Sequence, residues 1–168
     1  MARSTIRRYA VVGAGNMGSG IAQKIATEGF PVVLLDREQS FVERGLATIR
    51  RLLDEAVVRK IKTESEVAEI LGRVEGTTDW GRLADVDLVV EAVFEDLDVK
   101  REVFAKLAAV CRPDAILATN TSSFYVSDVA AAVNPAPQRV VGLHYFFHPA
   151  KNRLVEVLGH AGSDPAVV

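Results

Sequence analysis

Tyr9-Ala-Val-Val-Gly13-Ala-Gly15-Asn-Met-Gly18-Ser-Gly-Ile-Ala22 is the stretch on which the fold turns. A short apolar run, Tyr9 to Val12, breaks into Gly13-x-Gly15-x-x-Gly18. A helical pattern follows at once, with Ile21, Ala22, Ile25 and Ala26 recurring on one face. That is strand, tight turn and helix, and each glycine answers its own physical demand. Gly13 lets the chain leave the strand sharply. Gly15 removes the side chain that would keep a pyrophosphate from the backbone. Gly18 lets the helix lie close against the strand. The helix N-terminus then offers free N–H groups and the positive end of its dipole to phosphate.

The surroundings strengthen this reading of a dinucleotide site. Pro31-Val-Val-Leu-Leu-Asp36 is a second apolar run ending in an acid. Asp36 lies about 20 residues beyond the glycines, where an adenosine ribose presents its hydroxyls. A carboxylate there accepts those hydroxyls and repels a 2′-phosphate, which favours NAD over NADP. The adjacent Arg37 is the one nearby residue that pulls the other way. The competing reading is a glycine turn in some other βαβ unit, with Asp36 a turn residue.

Outward from this unit, strand and helix patterns alternate. Strand two covers 32–35. A long helix carries Val42, Leu46, Ile49, Leu53 and Val57 on one face. A shorter one follows, opened by the capping box Thr63-x-x-Glu66 and carrying Val67, Ile70 and Leu71. A third strand spans 74–77. Residues 85–96 hold a near-continuous apolar strand of the buried parallel type, then a helix with Val99, Val103, Leu107 and Val110 as its stripe. Strand five spans 115–119, a helix about 127–133, strand six 139–146, and a last strand 154–158. The pattern predicts one α/β domain over 1–168, a Rossmann-type doubly wound, mostly parallel sheet with a helical hairpin between strands two and three. Four polar sites fall at strand ends, where such sheets bind ligands: Asp36, Glu91 to Glu95, Asn120 to Ser123, and His144.

Composition excludes several classes of function. The 168 residues carry a net charge of -2, which points to neither a nucleic acid nor a membrane surface as partner. No apolar run approaches the ~20 residues of a membrane span. The basic N-terminus lacks the apolar run of a secretory leader behind it. The single cysteine, Cys111, permits no internal disulfide and suits a reducing, cytoplasmic setting; it reads as a small apolar residue at a helix end. No Cys/His grouping has zinc-ligand spacing, so no metal is expected.

Two further constellations carry chemistry. Asn120-Thr-Ser-Ser123 follows a buried strand, and its hydroxyls and amide suit either a nicotinamide or substrate oxygen, or a turn that caps the next helix. His144 closes an apolar strand, and Glu156 is the only charge in Leu154-Val-Glu-Val-Leu158. A buried carboxylate must find a partner or lose its charge. If the two strands pair, Glu156 meets His144, fixes its tautomer and makes it a stronger base. The alternative leaves Glu156 in water on an edge strand. His148 lies in the connection between these strands, and His160 in a glycine-flanked tail is given no role. Trp80 and Phe104 read as packing residues.

Taken together, these blocks resemble the NAD-binding domain of the 3-hydroxyacyl-CoA dehydrogenase family. Gly13–Ala22 resembles its dinucleotide motif. Val89-Val-Glu-Ala-Val-Phe-Glu-Asp followed by Lys100, Thr119-Asn-Thr-Ser-Ser, Gly142-Leu-His-Tyr-Phe and Leu154-Val-Glu-Val resemble four more. The resemblance implies that His144 is the general base, Glu156 its orienting carboxylate, and Ser122 a group touching substrate and nicotinamide. It implies that Gly13, Gly15, Asn16, Met17, Gly18, Asp36, Arg37, Ala92, Val93, Phe94, Glu95, Lys100, Asn120 and Ser122 hold the cofactor NAD. It further implies reversible oxidation of an (S)-3-hydroxyacyl-CoA to the 3-ketoacyl-CoA in fatty-acid metabolism, including β-oxidation.

Two departures stand out. The family usually reads His-Phe-Phe-Asn-Pro, whereas this chain reads His144-Tyr-Phe-Phe-His148-Pro149. The amide position falls on Phe147 without a gap and on His148 with one inserted residue. The family also continues into an all-helical domain that closes the substrate cleft and makes the homo-oligomer. The chain therefore reads as the N-terminal domain alone, expected to bind NAD but to turn over acyl-CoA weakly or not at all. Ile49 and Ala56 stand where the hairpin would present polar groups to CoA. The alternatives are a dehydrogenase of another hydroxy acid and a non-catalytic NAD-binding module.

Overall fold

The computed structural model describes residues 6–168. Met1 to Thr5, which begin the basic N-terminal stretch, lie outside the described residues. The order of elements is β1 (Tyr9–Val12), α1 (Asn16–Thr27), β2 (Val32–Leu35), α2 (Gln39–Val58), α3 (Glu64–Leu71), β3 (Val74–Thr77), β4 (Leu88–Glu91), α4 (Leu97–Val110), β5 (Ile116–Thr119), α5 (Val126–Ala130), β6 (Val140–Tyr145) and β7 (Val155–Leu158). The strands form one sheet in the order β3-β2-β1-β4-β5-β6-β7. Every neighbouring pair is parallel except β6 and β7, which are antiparallel. The winding reverses between β1 and β4, and that switch point opens a crevice at the carboxyl ends of the strands.

Side chains alternate across the pleat and so feed two cores. Ala10, Val12, Leu35 and Val89 pack beneath α4 and α5 with Phe104, Leu107 and Val129. Val11, Leu34, Leu88 and Val90 face the other way, against Ile21 and Ile25 of α1, Ile49 and Leu53 of α2, and Val67 and Ile70 of α3. The helical hairpin between β2 and β3 is present, and its second helix starts where the capping box places it. Thr63 Oγ1 accepts the Glu66 N–H, and the Glu66 carboxylate accepts the Thr63 N–H at 2.7 Å. Among the described residues no helix is long and apolar enough to cross a membrane.

Several elements differ from the sequence reading. The first helix begins before Gly18, at Asn16, with Gly15 as its N-cap and Ser19 N–H bonded to the Gly15 carbonyl at 2.9 Å. On α4 the stripe is rotated: Val99 is 40% exposed, while Lys100, Phe104 and Leu107 face the core. An apolar-only periodicity could not register a lysine as the inward residue. The helix expected over 127–133 is only Val126–Ala130, shortened before Asn134-Pro135. Arg139 lies outside β6, in a short 3₁₀ turn, where its buried guanidinium donates to the carbonyls of Arg112, Ala115 and Ala108. Cys111 does end α4, and burial pushes its thiol up to about 11, so it is inert as a nucleophile.

Two glycines of the first turn are dictated by space and backbone. Gly13 sits at φ +106, and a methyl there would press on the Ala92 carbonyl. A methyl on Gly18 would overlap the Gly13 carbonyl oxygen and crowd Val11. Gly15 has nothing within 4 Å of its missing Cβ. Gly18→Ala is therefore expected to cost about 3 kcal/mol or more, by overpacking against rigid backbone. Gly15→Ala should change stability by no more than about 1 kcal/mol. Urea unfolding of both variants checks this; equal costs would contradict the packing described.

Candidate functional site

Two hollows occupy the switch-point crevice and share part of their walls. The larger, about 860 Å³, is lined by Gly13 to Met17, Asp36, Arg37, Ala92, Val93 and Phe94, with Phe41, Arg44, Thr48 and Val99 as its far wall. The start of α1 faces it with no side-chain cap and no acid in its first turn. Uncapped N–H groups, the dipole end and the open space over Gly15 together form a cradle that a diphosphate fits. At the end of β2 the Asp36 carboxylate accepts the Ala14 N–H at 2.7 Å and the Arg37 N–H at 2.7 Å. It is thereby fixed at the cleft, and its remaining lone pairs suit ribose hydroxyls. The Arg37 side chain is engaged elsewhere, 3.5 Å from Glu38 and over the Phe41 ring at 5.2 Å. Arg44 stacks on the same ring at 4.6 Å.

The smaller hollow, about 400 Å³, shares Met17, Ala92 and Val93 with the first and adds Glu95, Lys100, Asn120, Ser122 and residues 144–147. Antiparallel pairing of β6 and β7 sets His144 directly opposite Glu156. His144 Nδ1 lies 2.8 Å from Glu156 Oε2. An ionised carboxylate only accepts, so Nδ1 carries the hydrogen and Nε2 holds the free lone pair. Phe146 packs against the imidazole with ring centroids 4.7 Å apart. Glu156 is not the buried carboxylate expected from its neighbours: its side chain is 48% exposed, because β7 is the sheet edge. Tyr145 also lines the cavity, but burial pushes its phenol up to about 12, which removes it as a base.

The Asn120–Ser123 turn does not cap the next helix, whose N-cap is Tyr125 with no side-chain cap bond; Thr121 closes the turn on itself. Thr121 Oγ1 accepts the N–H groups of Ser123 and Phe124, both at 3.2 Å, as a turn-capping residue does. Asn120 and Ser122 meanwhile line the hollow, and Asn120 Oδ1 accepts the Tyr145 N–H at 2.9 Å. Beneath them Lys100 is buried. Its ammonium reaches Glu91 at 2.8 Å and Glu95 at 3.1 Å, with Glu91 and Lys100 at 0% and 1% exposure. Burial would raise the Glu95 carboxyl; hydrogen bonds from Thr121 and Lys100 and the Lys100 charge outweigh it and hold that carboxyl below its ordinary range.

The two candidates for the amide position are placed differently. Phe147 lines the hollow and is 73% exposed, whereas His148 does not line it and its Nδ1 is buried without a partner. His160 is tied to Ser163, Gly162 and the Pro137 carbonyl, away from the site. The far wall of the larger cleft went unread in the sequence; the signal available was Phe41 three residues before Arg44 on one face of α2. Among the described residues no group of three His, Cys, Asp or Glu is placed to hold a metal ion.

Comparison with known proteins agrees with this geometry. The family described as 3-hydroxyacyl-CoA dehydrogenase, NAD binding domain, matches residues 8–168. A 3-hydroxybutyryl-CoA dehydrogenase of Mycobacterium tuberculosis is 44% identical over 162 residues, covering 96% of this chain and 56% of the relative. One from Clostridioides difficile is 39% identical over 151 residues, covering 90% and 53%. The crystal structure of M. tuberculosis FadB2 superposes with a TM-score of 0.95 at 43% identity, covering 98% of this chain and 57% of that one. The chain thus spans about half the length of these relatives, and it belongs to the 3-hydroxyacyl-CoA dehydrogenase family as an NAD-binding domain.

Proposed function

We propose that this domain supplies the cofactor site and the proton-accepting histidine of an enzyme that oxidises (S)-3-hydroxyacyl-CoA to 3-ketoacyl-CoA. One observation carries the reading. The His144–Glu156 pair, 2.8 Å apart, opens onto a hollow that shares Met17, Ala92 and Val93 with the dinucleotide cleft. A hydroxyl held there stands between a base and the end of the cleft.

Each side chain has a definable task. Gly13, Gly15 and Asn16 receive the diphosphate at the start of α1, Gly18 lies outside the hollow and lets α1 pack close behind them, and Asp36 accepts the ribose hydroxyls. Met17, Ala92, Val93 and Glu95 wall the passage between the hollows. NAD, when bound, supplies the hydride acceptor. His144 Nε2 takes the substrate hydroxyl proton, and Glu156 stabilises the imidazolium that results. Ser122 offers a hydroxyl to the substrate oxygen, and Asn120 keeps its amide N–H groups for a ligand because its oxygen is spent on Tyr145. Val93 and Phe146 limit water at the reacting atoms.

Related sequences support the substrate class. The relatives above bear the name 3-hydroxybutyryl-CoA dehydrogenase, and an Escherichia coli relative, 39% identical, is named 3-hydroxyadipyl-CoA dehydrogenase. Phe147, where the family's amide was expected, favours a second reading in which the substrate is another hydroxy acid. A diketoreductase of the same fold, 30% identical, is consistent with that latitude. Exposed Phe147, Leu154, Val157 and Leu158 beside the hollow support a second wall supplied by a following helical domain, which would also carry homo-oligomer contacts. A cytoplasmic setting suits the lone thiol.

Two measurements test the proposal. Calorimetry should show this chain preferring NAD to NADP, and Asp36→Ala should weaken NAD by about 1–3 kcal/mol, the cost of hydroxyls left unpaired; equal affinity for both dinucleotides would remove the basis for the cofactor choice. In the gene's complete product, NAD reduction by (S)-3-hydroxyacyl-CoA should fall about 10²–10⁴-fold on His144→Gln, with a smaller loss for Glu156→Gln. Near-parental rates in both variants, with NAD still bound, would show that another group is the base.

A further inference from the structure

We propose that Lys100 is a positioning residue: it clamps Glu95 and, through Thr121, holds the Asn120–Ser123 turn at the nicotinamide end of the cleft. The family resemblance makes Lys100 a cofactor contact, and its surroundings add a second task. The ammonium is 1% exposed and already holds two carboxylates, Glu91 at 2.8 Å and Glu95 at 3.1 Å. A buried lysine so paired holds both carboxylates in one geometry.

The bonds run in one connected set. Glu91 Oε1 accepts the Val93 N–H at 2.8 Å as well as the Lys100 ammonium, and Oε2 accepts the Thr119 hydroxyl at 2.7 Å. The Glu91 backbone carbonyl accepts the Asn120 N–H at 2.9 Å. Glu95 leaves the loop after β4 and accepts the Thr121 hydroxyl. Thr121 in turn closes the turn on Ser123 and Phe124. Asn120 then reaches across to the Tyr145 N–H, one residue from His144. The set therefore spans Val93 on the cofactor wall, Ser122 on the turn and the β6 end that carries the histidine. Of its three charged members Glu95 is the most open, at 40% of its side chain, while Glu91 and Lys100 are at 0% and 1%.

Such a set acts only where its bonds converge. The diphosphate and adenosine positions, at Gly15 and Asp36, lie outside it; the passage at Val93 and the Ser122 turn lie within it. Releasing the clamp should therefore loosen the nicotinamide half of the site and leave the adenosine half alone. Thr121 is the member to alter, because its side chain does not line either hollow.

The test measures affinities of this chain for NAD and for ADP-ribose, which has the adenosine diphosphate but no nicotinamide. Thr121→Val should weaken NAD about 10-fold, the loss of one charge-assisted hydrogen bond, and ADP-ribose less than about 2-fold. Thr121→Ser, which keeps the hydroxyl, should restore NAD binding. Unchanged NAD affinity in Thr121→Val overturns the proposal. So does equal weakening of both ligands, which is a general loss of structure, and so does failure of Thr121→Ser to restore it. Should Thr121→Val not fold, Thr121→Ala removes the same hydroxyl without a β-branched replacement. It should give the same NAD-selective loss, and equal or absent effects on the two ligands overturn the proposal in the same way.

Discussion

A buried ion pair, Glu91 with Lys100, stands at the point where the loop after β4, the Asn120–Ser123 turn and the sheet meet. Taking both charges out of water costs several kcal/mol each, and their attraction offsets this only when the remaining hydrogen-bonding capacity is met. Here Glu91 has three donors, from Lys100, Val93 and Thr119. A less complete set would leave an uncompensated charge under the site. The consequence is geometric. The end of β4, the loop that follows, the second turn of α4 and the turn after β5 cannot shift independently, so the hollow keeps its shape before any ligand arrives.

The opposite end of the sheet uses charge for anchoring alone. Asp87 precedes β4 and accepts the N–H groups of Arg7 and Arg8 at 2.7 and 2.8 Å while pairing with Arg112. Arg139 caps the carbonyls at the end of α4. At the carboxyl ends, by contrast, Asp36, Ser122 and His144 present polar atoms to open space. The topology accounts for the open carboxyl ends: the winding reverses at the switch point between β1 and β4, and the connections that leave it in opposite directions part there to form the crevice.

The fold was legible because its signals are local. Glycine spacing, β-branched runs and the Thr63–Glu66 box act over a few residues, and the strands fell within a residue or two of their expected bounds. His144 and Glu156 were legible as a pair only on the condition that β6 and β7 run antiparallel, which their own residues do not state. Glu91 and Lys100 were less visible still. Glu91 read as part of a polar strand end and Lys100, by resemblance, as a cofactor contact; nothing local pairs the two, and only the register of α4 brings the lysine onto the end of β4. Phe147 and His148 show the same limit: both occupy the expected neighbourhood of the amide, and the backbone path decides which ring enters the hollow.

The central claim is that the two hollows form one dinucleotide site whose far end reaches His144. Amide chemical shifts of this chain, titrated with NAD and with ADP-ribose, test it most directly. Both ligands should move Gly13 to Gly18 and Asp36. The difference between them should localise to Met17, Val93, Ser122 and His144. A difference confined to Phe41, Arg44 and Thr48, or spread away from His144, would contradict the claim, since the nicotinamide would then lie where no base can serve it.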